Sequence, residues 1–359
     1  MKEKLNWIMG PGLALLWLVL IIANFFAIEF HSEVWWGTAG LSLAAMIFFM
    51  IKQHMTLYVF KRLVEATVTI WVIASFTFLL LRVLPGGPFD SEKALPAEVK
   101  AAIERKYKLD QPVFNQYISY LGGLVRGDLG ESYKYLGRNI SEIILESLPA
   151  SVQLGVFSLL LAYAIGVPFG VIAARFHNSW FDHALMMLAI SGVSLPSFLV
   201  APILILFFCF SLGWFEPALW EGPTYYVLPT LVLGTRSAAV IARLVRASVL
   251  EVIRSDYIRT GRAKGLSETA LLFKHVLRNS LIPVLTFSGP LVAGIITGSF
   301  VVEQIFAVPG IGKHMVLSVS NRDYPLILGT TLVFSVILIL CNLIVDLLYA
   351  YVDPRIKLS

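Results

Sequence analysis

Charge is scarce in this sequence. Asp, Glu, Lys and Arg make up 14% of its 359 residues, against about a quarter in a soluble domain, which excludes a water-solvated surface over most of the chain. Cysteine is scarcer still: Cys209 and Cys341 both lie inside apolar runs, so neither a disulfide framework nor a CxxC spacing is present, and both read as packing residues. Phosphate-loop chemistry is missing as well. No GxxxxGK[ST] run occurs, and Gly310-Ile311-Gly312-Lys313 lacks the upstream glycine and the Ser or Thr. There is no HExxH, no nucleophile elbow and no carboxylate pair at the inner leaflet that would support a membrane enzyme. His177, Asp182 and His183 cluster on one turn, but their spacing offers no fourth ligand, so no metal site is assigned.

What is present is apolar length. Hydrophobic residues make up 57% of the chain, mean hydropathy is +0.78, and the apolar residues fall in runs long enough to cross about 30 Å of hydrocarbon as helices. Eight spans are expected, at 11–28, 34–51, 66–84, 151–174, 184–212, 225–242, 281–302 and 326–352. The first run is longer than the core of a signal peptide and reads as a retained span. It forms a hairpin with the second, closed by Glu29, His31 and Glu33, while Lys2, Lys4, Lys52, Lys61 and Arg62 flank the open end. Basic residues collect on the cytoplasmic side, so both termini are expected inside. Carried forward, this places 85–148 and 303–325 outside and 243–280 inside. The last loop holds eight basic and three acidic residues, a net +5.

The outer segment opens on Pro85-Gly86-Gly87-Pro88, then predicts a helix from Pro96 to Tyr107 with Glu98 in its first turn. Val113, Tyr117, Tyr120, Leu121 and Leu124 follow at helical spacing, and 140–148 reads as an amphipathic lead into the next span. It is a folded cap that either packs on its own spans or docks a soluble partner. Pro196, Pro202, Pro283, Gly289 and Pro290 interrupt two spans, freeing backbone groups that protein or cavity water must satisfy. Gly294 and Gly298 form a GxxxG pair suited to close helix packing. No internal repeat is evident.

The inner loop reads as helix, glycine, helix. A helix is expected over 246–264, ended by Gly265 in the left-handed conformation. Ser267 is then an N-cap, Glu268 sits in the first turn, and Leu266 can staple onto Leu271. Leu266, Ala270, Phe273 and Leu277 would line one face, with Lys274, His275 and Arg278 near the C-terminal end. By composition alone such a loop could also be a basic helix on anionic lipid.

The residues themselves say more. Tyr257-Ile258-Arg259-Thr260-Gly261-Arg262-Ala263-Lys264-Gly265-Leu266-Ser267, with Lys274, His275, Arg278, Asn279 and Pro283, resembles the cytoplasmic coupling motif of ABC importer permeases in the dipeptide, oligopeptide and nickel branch. Arg259-Thr260-Gly261 stands where the general pattern has Glu-Ala-Ala, and Arg278 stands where many families have proline. Leu84 to Pro88, Gly127 to Ser132, Ser194 to Phe198, Val302 to Phe306 with Pro309 to Gly312, Asn321 to Pro325 and Tyr351 to Arg355 resemble stretches of the B-type permease of oligopeptide importers. The resemblance covers roughly residues 57 to 359. It implies an all-α membrane protein with a six-helix importer core (type I importer fold) over 57–359, preceded by the extra hairpin of 1–56, in a bacterial inner membrane. It implies no catalytic residue and no cofactor on this chain, with ATP and Mg on partner ATPases. The implied partners are a second homologous permease, two ATP-binding subunits, an extracytoplasmic peptide-binding protein and membrane lipid, with no nucleic acid. Coupling to the ATPases is expected at Arg259, Thr260, Gly261, Ala263, Lys264, Gly265, Leu266, Ser267, His275 and Arg278.

Three ionisable residues sit where hydrocarbon makes charge costly. Arg236 in the sixth span, Asp346 near the inner end of the eighth and Glu303 near the outer mouth are candidates for the translocation path. The alternatives are snorkelling for the first two and a solvated helix-end carboxylate for Glu303. A same-family permease for nickel or another small solute, or an ion-driven secondary transporter, remain open; the latter expects repeat-related broken helices and midplane acids, of which the central spans hold few.

Overall fold

Inside a bilayer an apolar run has no water for its backbone, and the helix satisfies every N–H and C=O within the segment. The computed structural model describes residues 56–84, 87–89, 97–296 and 299–352, and they are almost wholly helical. By its contacts the chain divides into Met1–Glu65 with Leu358–Ser359, and Ala66–Lys357. Of the first unit, residues 56–65 are described, as the start of helix α1 (Thr56–Val83). The expected N-terminal hairpin, the Pro85-Gly86 breaker, Gly298 and the closing 353–359 lie outside the described residues.

The second unit continues with α2 (Ala97–Lys106), α3 (Val113–Val125), α4 (Ile140–Arg175), α5 (Trp180–Ser194) and α6 (Ser197–Leu204), which runs into a π-wound segment π1 (Ile205–Ser211). Then come α7 (Pro223–Ile253), α8 (Asp256–Ala263), α9 (Glu268–Ala270), a second π-wound segment π2 (Leu271–Val276) and α10 (Leu277–Ser280). The chain closes with α11 (Ile282–Ile296), α12 (Phe300–Ile305), α13 (Ile311–Ser320) and α14 (Tyr324–Val352). Among the described residues, five stretches are long and apolar enough to cross a membrane: Phe60–Val83, Ile140–Arg175, Pro223–Ile253, Ile282–Ile305 and Tyr324–Asp346. The pair α5 and α6–π1 makes a sixth if it is one span.

Three expected boundaries need correction. The lead at 140–148 and the span at 151–174 are one 36-residue helix that runs through Pro149 and Pro168. The span at 184–212 is not straight but bends by 104° at Leu195-Pro196, where the residue before proline is held extended (ψ 121°). The span at 225–242 runs on to Ile253, so the helix expected over 246–264 is interrupted at Arg254-Ser255 and restarts at Asp256.

Helices in lipid associate by close packing and not by hydrophobic drive, which favours small residues at their contacts. Along α4, Ser158, Ala162, Gly166, Gly170 and Ala174 recur every fourth residue and are all buried. They meet α7 so closely that a Cβ on Gly166 would lie 2.7 Å from the Ala238 carbonyl oxygen, and one on Gly170 2.6 Å from that of Ala242. Gly234 of α7 returns the contact, since a Cβ there would lie 3.0 Å from the Ser158 carbonyl oxygen. In the same way Gly289 of α11 lies against the Asn342 side chain of α14. At Gly294 a Cβ would meet nothing within 4 Å among the described residues.

Polar elements gather at the two ends of the bundle. At one end lies the cap, where Phe78, Tyr107, Tyr117, Tyr120, Tyr133 and Tyr324 form ring contacts at 4.6–6.4 Å and the Arg82 guanidinium lies 5.1 Å from the Phe78 ring centroid. Burial pushes the Tyr133 phenol up to about 12. Gly127 and Gly130 take positive φ (75° and 83°), and the Asp128 carboxylate accepts from Gly130 N at 2.9 Å, which turns the chain into α4. At the other end lie the 176–179 turn and the 254–281 segment. Replacing Gly170 by valine is expected to cost about 1–3 kcal/mol through overpacking, whereas Gly294→Ala should stay within about 0.5 kcal/mol; thermal unfolding of the two purified variants separates these outcomes.

Candidate functional site

The basic end is built on a helix stop and restart. In α8, Leu266 N donates to Gly261 O (3.2 Å) and Gly265 N to Arg262 O (2.9 Å), the paired bonds of a Schellman C-cap. Gly265 has φ +79°, as expected, and a Cβ there would meet nothing within 4 Å, so glycine is required by backbone conformation and not by space. Two residues on, Ser267 Oγ accepts from Ala270 N at 3.3 Å and caps the next helix. Across the turn, Arg262 Nε and Nη2 donate to the Glu268 carboxylate at 2.7 and 3.1 Å. This pairing holds the Glu268 carboxyl below the usual range, so the staple persists through the ordinary carboxylate range and is lost only as pH falls below it, through the depressed value.

Gly261 is the hinge of the packing. It is buried, with Leu271 Cδ2 2.6 Å and Leu266 Cδ1 3.6 Å from where a Cβ would stand. The departure from alanine therefore has a local reason: Leu271 occupies the space. The expected apolar face of Leu266, Ala270, Phe273 and Leu277 needs correction. The buried residues are Leu271, Leu272 and Val276, while Phe273 is 65% and Leu266 43% exposed, because π2 winds with i→i+5 bonds and departs from the 3.6-residue period. Ile258, Leu271, Leu272 and Val276 join Val245, Val249 and Val284 in one cluster, and Asn279 Nδ2 donates to Tyr257 OH at 2.7 Å. Arg259, Thr260, Ala263, Lys264, Ser267 and Arg278 remain exposed and His275 half-buried.

A second joint goes unrecognised in the sequence. Asp182, fully buried in the first turn of α5, accepts from Arg246 Nε (2.6 Å) and Nη2 (2.7 Å) and from Asn178 N (2.9 Å). His177 Nδ1 lies 3.3 Å from it, whereas His183 Nδ1 faces Ser179 O at 2.7 Å. The only sequence signal is an aspartate just after the N-cap Ser179, with its partner 64 residues away. Among the described residues, no group of three or more His, Cys, Asp or Glu is placed to hold a metal ion.

The three candidate path residues stand at different levels. Arg236 lies exposed midway along α7, and Asp346 is half-buried near the far end of α14. Glu303 is fully buried, not a solvated helix-end carboxylate. It accepts from Ser151 Oγ (2.7 Å) and Lys313 N (3.1 Å) and fills the space where Gly310 and Gly312 carry no side chain, while Ser151 Oγ accepts from Ile311 N at 2.9 Å. Glu303 thereby caps α13 onto α4. Asp323 works alike, accepting from Ser132 Oγ, from Tyr133 N at 3.1 Å and from Leu326 N at 3.4 Å.

The family described as Binding-protein-dependent transport system inner membrane component matches residues 166–358, and that described as Binding-prot-dependent transport system membrane comp, N-term matches residues 55–155. Similar curated proteins include the oligopeptide transport system permease protein OppB of Haemophilus influenzae, 44% identical over 302 residues, which are 84% of this chain and 99% of that protein. The dipeptide transport system permease protein DppB of Bacillus subtilis is 45% identical over 304 residues, 85% of this chain and 99% of its own length. Escherichia coli K12 OppB is 42% identical over 302 residues, again 84% and 99%. Among solved structures, one of the MetNI methionine ABC transporter in inward facing conformations gives a TM-score of 0.49 at 18% identity, covering 59% of this chain and 96% of that one.

Arg246→Ala removes the guanidinium from the buried Asp182 carboxylate, which keeps Asn178 N and the nearby His177, and is expected to destabilise by about 3 kcal/mol. The double variant Asp182→Ala with Arg246→Ala should recover much of that loss, and a double-mutant cycle on thermal unfolding measures the coupling.

Proposed function

The chain belongs to the binding-protein-dependent transport system inner membrane component family, and from that premise we propose that it forms half of the translocation path of an ATP-driven importer of oligopeptides. Its implied partners are a second permease, two ATP-binding subunits and an extracytoplasmic binding protein that brings the cargo. The names of its relatives support peptides as cargo. The basic end faces the cytoplasm in this reading, since its loop carries the net positive charge, and both termini lie on that side.

The observation that carries the coupling role is the capped turn at Gly265. Force can pass through a loop only if the loop does not bend. Here Schellman bonds, the Ser267 cap and the Arg262–Glu268 staple lock α8 to α9, and Gly261 lets Leu271 anchor both to the α7 core. Outward it leaves Phe273, Leu266 and Tyr257 exposed beside Arg259, Lys264, Lys274 and Arg278, an apolar centre with a basic rim suited to a soluble ATPase subunit. ATP and Mg belong to that subunit.

A valine at Gly265 adds a β-branched side chain to a left-handed backbone, costing about 1–2 kcal/mol, and is expected to force the turn to rearrange. Co-purification of the ATPase subunits and peptide uptake should both fall sharply. An intact complex with unchanged uptake in Gly265→Val would count against the coupling role.

A further inference from the structure

One face of α7 changes character halfway along. Nearer the cap it is covered, since Pro229 and Val232 are buried and Val232 packs in a cluster with Ala201 of α6 and Val302 and Phe306 at α12. From Arg236 onward the same face is largely exposed, interrupted by the half-buried Val240 and edged by the buried Ala239. Arg236, Arg243, Ala247, Glu251 and Arg254 are all exposed, and their spacings of seven, four, four and three residues keep them on one side of the helix, opposite the Ala238, Ile241 and Val245 side that meets α4. At its far end the open face enters a recess of ≈ 600 Å³ bounded by His177, Ala247, Leu250, Glu251 and Arg254.

Arg236 heads this lane. It stands ten residues, about 15 Å of helix rise, from Arg246, whose bond to Asp182 marks the level where α5 begins. With the inner edge of the roughly 30 Å hydrocarbon core taken at Arg246, that is half its depth; taken at Arg243, seven residues away, it is about 10 Å. Arg236 makes no ion pair or hydrogen bond among the described residues, in contrast to Arg246 on Asp182 and Arg262 on Glu268. A guanidinium at that depth without a counter-charge is not tolerated against lipid tails; it needs a water-filled cavity or an incoming anion.

Resting on the importer reading above, the geometry points to Arg236 as the group that takes the C-terminal carboxylate of the peptide cargo at the head of an inward-open lane along α7. Three arginines against one glutamate make the lane attractive to an anion down about 27 Å of helix. Arg243 and Arg254 then offer successive weaker, more hydrated sites towards the recess. The planar fork of arginine suits a carboxylate bidentately.

The test uses the complete importer, with second permease, ATPase subunits and binding protein, in proteoliposomes. Two forms of one peptide are compared, with a free C-terminal carboxylate and with a C-terminal amide, chosen so that the binding protein holds both and supplied at saturation. Arg236→Gln is expected to slow uptake of the free-carboxylate peptide about tenfold, the equivalent of 1.4 kcal/mol, while the amide changes less than about twofold. Arg236→Lys should retain most of the preference, and ATPase stimulation by loaded binding protein should persist in both variants. Equal slowing of the two forms, or no slowing of either, overturns the assignment. So does loss of the second permease from purified Arg236→Gln, which gives the charge to a protein partner, or a dependence on anionic lipid that vanishes in Arg236→Gln without peptide discrimination, which gives it to a headgroup. A wild-type complex that hydrolyses ATP but carries neither peptide overturns the importer reading itself.

Discussion

The α4–α7 seam is the contact on which the rest of the protein depends. In lipid, two apolar helices gain little by touching unless their backbones come close, and here Gly166 and Gly170 bring the α4 backbone against the carbonyls of Ala238 and Ala242. That contact orients α7 about its axis. One side is committed to α4, an adjacent side takes Gly192 and Asp182 of α5, and the side opposite the seam is left to carry Arg236 and Arg243. Because α7 is one uninterrupted helix to Ile253, the same rotation also sets where α8 begins.

Buried charge in this protein serves as joints. Glu303, Asp323 and Asp182 are each buried and each accept several hydrogen bonds from segments remote in the chain. Glu303 ties α12 and α13 to Ser151, Asp323 ties α14 to the cap at Ser132 and Tyr133, and Asp182 ties α5 to Arg246. A buried carboxylate that lost its partners would be costly, so each fixes a register that apolar packing alone would leave free to slide. Arg236 differs from all three: it is exposed and makes no ion pair or hydrogen bond among the described residues.

The capped turn at Gly265 is legible in fine detail because its signals are local. Gly265, Ser267 and Glu268 act on neighbours within a few residues, through backbone conformation and capping, and the expected left-handed glycine and N-cap are both present. The buried face of the following segment is not legible. Period-3.6 reasoning selects Phe273 and Leu266, and the π winding of Leu271–Val276 turns Leu271, Leu272 and Val276 inward instead. Glu303 is misread for a related reason: nothing near it in sequence announces Ser151 as a donor 152 residues away.

Composition and run length by themselves established a polytopic membrane protein, since the cost of exposing backbone to hydrocarbon admits helices for such runs. The residues around Gly265 fixed a helix stop and restart, since capping is a local interaction. Tertiary structure alone decided which helices share a seam, which carboxylates become joints, and that one face of α7 is closed near the cap and open beyond Arg236. Those outcomes depend on close approach between residues far apart in the chain, and a periodic pattern records which side of a helix is apolar but not what will cover it.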